Sequence, residues 1–199
     1  SFERLNIELI PETSTMAGLV REGDVHITDR YLPISIFEQL DQRDDVNVST
    51  ETTFTPMYIF MHNQRPPFDD INVRRAMAHA FDYEELLNGI MNGDSAQLQG
   101  PLPAAMWGHN DELEMYSKDL DRARELLDES QYSDEEIGFT YVYVTGLNIR
   151  ENIGLMLQSN LNEIGINMEV TNEPWSRITS LHQNIEESPQ MIATNLSFN

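Results

Sequence analysis

The sequence contains no cysteine, which removes disulfides, thiolate nucleophiles and cysteine-ligated metals. An exported protein and a cytosolic one are equally compatible with that. Positive charge is scarce: of 12 basic residues only Lys118 is a lysine, against 34 acids, for a net charge of −22. Affinity for nucleic acid rests on neutralising phosphates, so DNA, RNA and an anionic membrane surface are excluded as expected partners. The longest apolar runs are far too short to span a bilayer, and no signal peptide is present. Any membrane attachment therefore requires an anchor outside these residues. Gly-rich phosphate loops, a G-x-S-x-G elbow and H-E-x-x-H are all missing. The five histidines, His26, His62, His79, His109 and His182, have no metal-ligand spacing, and neither a cofactor nor a metal is expected.

What is present describes a folded α/β protein. The 199 residues suffice for one large domain or one and a half small ones. The acids are dispersed rather than gathered in a tail, and aromatics at 9% together with clear periodicity exclude a disordered chain. A dispersed acidic surface nearly stripped of lysine suits very high salt, where a Debye length of about 3 Å at 1 M screens self-repulsion. The expectation is a halophilic source. Ser1-Phe2-Glu3 is not a natural start, so the sequence reads as an internal piece.

Periodicity gives two β-α-β-α-β blocks around a helical insert. In the first, residues 5–10, 25–27 and 46–50 read as strands. Between them lie a helix capped by Thr13 or Ser14 and stopped at Gly23, and a second helix begun by Pro33. In the second, 139–144, 166–170 and 190–198 read as strands, with a long amphipathic helix from Ile149 to Ile164 and another begun by Pro174. The insert starts with a strand-like run at 56–63. "RPPFDDINVRRAMAHAFDYEELLNGIMNGD" then reads as two helices, capped by Asp69 or Asp70 and by Asp82 with Glu85, and stopped at Gly93. A further helix starts at Asp119 or Asp121. Sheets built this way place ligands outside the carboxyl ends of their strands.

Chemistry-bearing candidates are few. Asp69 and Asp70 with a histidine would make a hydrolase pair, but adjacent acids before a helix are capping residues far more often. His79 reads as a helix-surface residue. Tyr58, at the start of the insert, and Trp175, opening a helix after a strand, stand where an open sheet presents aromatics to a ligand; core packing is the alternative for both.

"PPFDDINVRRAMAHAFDYEELLNGIMNG" strongly resembles the signature of family 5 extracellular solute-binding proteins, the peptide- and nickel-binding receptors of ABC importers. Asn63, Pro67, Phe68, Asp70, Val73, Arg74, Ala76, Ala80 and Asp82 match it, while Tyr83 stands where the family usually has Arg. "REGDVHI", "QGPLPAAMWGHND", "DLDRARELLDES", "LNEIGINMEV" and "EPW" are similar to further family motifs, in the family's order. The resemblance implies a class II periplasmic-binding-protein-like fold, with a mainly parallel sheet flanked by helices. It divides the chain into 1–52, the end of lobe one; 53–63, a strand crossing the hinge; and 64–199, most of lobe two. It implies capture of di- or oligopeptides for an ABC permease, with nickel chelates or oligosaccharides as alternative solutes, and an extracellular, surface-anchored protein that is not an enzyme; the archaeal source is expected from the acidic, lysine-poor composition instead. It carries Tyr58, Trp175, Asn195 and Leu196 to the ligand cleft. The family often has Gly-Trp where this chain has Asn195-Leu196.

Overall fold

A computed structural model describes residues 3–10, 12–28, 32–49, 51 and 54–196. The chain divides into two compact units, Ser1–Glu51 and Thr52–Asn199.

The first unit holds two helices, α1 (Thr13–Glu22) and α2 (Ile34–Asp41). Neither Thr13 nor Ser14 caps α1; the N-cap is Glu12, without a side-chain bond. Gly23 ends the helix as expected, with φ of 79° and its N–H on the Val20 carbonyl, a left-handed turn that glycine adopts without a β-carbon penalty. The three expected strands are not there: 5–10, 25–27 and 46–49 are irregular, and residue 50 lies outside the described residues. Leu5, Ile7, Leu9 and Ile27 are all strongly exposed. Alternation alone does not make a strand, because its hydrogen bonds belong to a partner, and among the described residues these segments have none.

The second unit is built on a four-stranded sheet in the order β1 (Met57–Met61), β4 (Met191–Asn195), β2 (Gly138–Val144), β3 (Asn167–Glu173). β2 pairs parallel with both β3 and β4, and β1 pairs antiparallel with β4, so the sheet is mixed. α3 (Ile71–Ala80), α4 (Leu120–Asp128) and α5 (Asn148–Glu163) bury Val73, Ala76, Met77, Leu126, Leu127, Ile153, Leu157 and Leu161 with Phe139, Tyr141 and Met168 of the sheet. α6 (Trp175–Leu181) covers the other face through Ile178, which packs on Val142 and Ile192.

Local starts follow the sequence. Asp70 caps α3 by accepting from Asn72 N–H at 2.7 Å, and Asp119 caps α4 by accepting from Arg122 N–H at 2.8 Å. Asp82 accepts from Glu85 N–H at 2.9 Å, but the helix it opens, Glu85–Ile90, is a π-helix. Gly165, with φ of 79°, turns the chain from α5 into β3.

Candidate functional site

From β2 the chain passes through α5 to β3 on one side, and from β3 through α6 to β4 on the other. The connections therefore part between β2 and β4. At such a switch point the loops leave a crevice outside the carboxyl ends of the strands, where open α/β sheets bind ligands. Here that edge is formed by Val144–Gly146 after β2, Pro174-Trp175 after β3, Asn195-Leu196 ending β4, and Pro56-Met57 opening the antiparallel β1.

Asn195 and Leu196 sit together on this edge. The Asn195 side chain donates from Nδ2 to the Thr55 carbonyl at 3.2 Å, and its Oδ1 accepts from Arg150 Nη2 at 2.6 Å. Leu196 N–H donates to the Pro56 carbonyl at 3.2 Å, leaving its side chain 42% exposed. Tyr58 lies on β1, opposite Thr194. Met57, Ile59 and Met61 pack on the large core with Met191 and Ala193, so the pleat turns Tyr58 and Thr194 to the α6 side and Asn195 to the α5 side. Tyr58 and Asn195 thus share an edge but not a face. The Tyr58 hydroxyl donates to the Pro101 carbonyl at 2.6 Å, and its ring lies 5.5 Å from that of Phe60. Partial burial raises the phenol pKa above its usual value, so the hydroxyl stays a donor. Trp175 is 55% exposed at the start of α6; core packing does not account for it. β4 and β2 lie between the strand that carries Tyr58 and the strand that precedes Trp175.

Sequence reasoning passed over Arg150. It is buried, in the first turn of α5, and Arg150, Gly154, Leu157 and Leu161 follow one another at helical spacing on the buried stripe. An arginine on an apolar stripe at a helix start was the available signal. At the ends of β2 and β3, Thr145 Oγ1 donates to Asn172 Oδ1 at 2.9 Å.

The hydrolase candidates are engaged within the fold. Asp69 accepts the Tyr132 hydroxyl at 2.8 and 3.0 Å, while Asp70 caps α3 and accepts from Gln131 N–H at 2.9 Å. His79 is half-buried rather than on the surface, its ring edge-on to Tyr116 with centroids 5.1 Å apart. Among the described residues no cluster of His, Asp and Glu is arranged to hold a metal ion. A groove of about 480 Å³ lies between the π-helix and α5. Asp82, Glu85, Ile90, Leu155 and Met156 line it.

Sequence and structure comparisons agree with this architecture. Residues 1–199 match the model for bacterial extracellular solute-binding proteins, family 5 middle, and the chain belongs to that family. The "Probable D,D-dipeptide-binding periplasmic protein DdpA" of Escherichia coli is 30% identical over 166 residues, 83% of this chain and 32% of that protein. Heme-binding protein A of Haemophilus influenzae is 25% identical over 130 residues, 65% of this chain and 24% of the relative. The chain thus spans a third or less of these relatives' length. Among solved structures, the periplasmic binding protein DppA of Helicobacter pylori, in complex with the peptide STSA, superposes with a TM-score of 0.82. That match is 23% identical and covers 95% of this chain and 36% of the other. The fold is that of the periplasmic binding proteins.

Proposed function

We propose that this chain is part of the extracellular receptor of an ABC importer, and that the solute it captures is a di- or oligopeptide handed to a membrane permease. One observation carries the reading. A family 5 chain whose sheet has a topological switch point between β2 and β4 is related to a protein named for dipeptide binding. The function is capture and not catalysis.

In this reading residues 1–52 close lobe one, 53–63 cross the hinge, and 64–199 form most of lobe two. Tyr58, Trp175 and Leu196 offer apolar and aromatic surface to the solute, and Asn195 shapes the edge between them. A pocket of this kind gains affinity from enclosed apolar contact and orientation from a few fixed polar groups. The Tyr58 hydroxyl and the Asn195 amide are held by the fold. We further assign the protein to a cell surface bathed in high salt, as of a halophilic archaeon, on the strength of the net charge of −22 and the single lysine.

Native mass spectrometry of the full-length protein, purified without refolding, tests the solute. Peptide masses released on denaturation support the reading. A metal chelate, a sugar or heme in their place refutes it.

A further inference from the structure

Arg150 stands where a cation has little local reason to be. It lies in the first turn of α5, at the positive end of the helix dipole, where cations are disfavoured. It is also buried, 7% exposed, and burying a charge is costly unless hydrogen bonds compensate. One such bond points to the carboxyl edge: the Arg150 Nη2 donates to Asn195 Oδ1 at 2.6 Å. The main-chain carbonyl of Arg150 separately accepts the Tyr141 hydroxyl at 2.7 Å.

The partner has a matching property. A primary amide both accepts and donates. With Oδ1 facing the guanidinium, Nδ2 is turned to the Thr55 carbonyl. One residue on, Leu196 N–H bonds the Pro56 carbonyl. A carboxylate at 195 would satisfy Arg150 but meet the Thr55 carbonyl with no donor; an aliphatic side chain would satisfy neither. The helix, the end of β4 and the segment leading into β1 are thus linked through one amide.

We propose that Arg150 is a positioning residue for the crevice. Through Asn195 it fixes Thr55-Pro56 and Leu196 in the arrangement that a solute meets. The effect on solute affinity rests on the peptide-receptor reading above; the effect on the edge itself does not.

The test compares Arg150→Met, Arg150→Lys, Asn195→Leu and the Arg150→Met/Asn195→Leu double variant in the full-length protein, with two readouts. Amide hydrogen exchange, resolved to single residues without solute, reports the edge. Arg150→Met and Asn195→Leu should each speed exchange of the Leu196 amide about tenfold, as expected for loss of one bond to a charged group. The double variant should add little more, Arg150→Lys should restore part of the protection, and Leu157 and Leu161 in α5 should exchange as before. An unchanged Leu196 amide in Arg150→Met overturns the proposal. So does an equal loss of protection along α5, or a double variant whose effect is the product of the singles.

Calorimetric titration with the tetrapeptide STSA and with a mixed dipeptide library reports the solute. Arg150→Met should weaken binding about tenfold or more, with partial recovery in Arg150→Lys. Equal affinity of wild type and Arg150→Met overturns the role in binding. If wild type binds none of these peptides while the exchange pattern holds, the peptide reading fails and the positioning of the edge by Arg150 stands.

Discussion

Gly154 of α5 lies so close over the ring of Tyr141 that a β-carbon there would fall 2.6 Å from Cε1 and 2.7 Å from Cδ1. The contact seats α5 directly on β2, and the Tyr141 hydroxyl reaches the Arg150 carbonyl one turn away. Helix propensity alone favours Ala over Gly by about 1 kcal/mol. Overpacking a tight core typically costs about 1–3 kcal/mol. Tyr141 is fully buried beneath the sheet's helix layer, so packing should win. Gly154→Ala is expected to destabilise by about 1–2 kcal/mol in urea unfolding, and a stabilised variant contradicts this close approach.

Asp70 does more than cap. One carboxylate oxygen serves Asn72 N–H at the start of α3, and the other accepts from Gln131 N–H, 61 residues away. As a cap alone, Asn would replace it at a cost of a few tenths of a kcal/mol. The amide, however, turns an N–H₂ group toward a second N–H donor. Asp70→Asn should therefore cost about 1–2 kcal/mol by chemical denaturation, and a near-neutral result would mean that the Gln131 bond contributes nothing.

Tyr83 gives a pH prediction. Burial, and secondarily the nearby Tyr116, pushes its phenol up to about 12, from about 10 in an unfolded chain. The folded state then keeps a proton that the unfolded state has released, so stability falls with rising pH across that window. Its contribution is complete below about pH 10 and lost as the pH passes about 12. Tyr83→Phe should flatten the alkaline limb of the melting midpoint measured between pH 9 and 12. An alkaline limb of unchanged slope counts against the assignment.

With a net charge of −22, self-repulsion opposes the compact state when unscreened. The thermal midpoint should rise between about 0.05 M and 2 M potassium chloride, where the Debye length drops from above 10 Å to below 3 Å. A midpoint that is flat or falls with salt removes the halophilic reading.

Much local chemistry settled within a few residues was readable from the sequence, although the α1 cap was not. The caps at Asp70 and Asp119, the stop at Gly23 and the apolar stripe of α5 all depend on neighbours in the chain. The ordered motifs around Pro67-Phe68, Trp107-Gly108 and Pro174-Trp175 were enough to indicate the family.

Partners distant in sequence were decided by tertiary structure. Residues 5–10 and 46–49 alternate as well as β3 does, yet they remain irregular, because a strand is made by the strand beside it. Pleat and register put Tyr58 and Asn195 on opposite faces, which spacing along the chain cannot show. The placement of Arg150 against Asn195, 45 residues away, needed the crossover that brings the carboxyl ends of β2 and β4 together. The sequence specified the groups that this edge carries; only packing of α5 on Tyr141 and the pairing of β4 between β1 and β2 determined which of them meet.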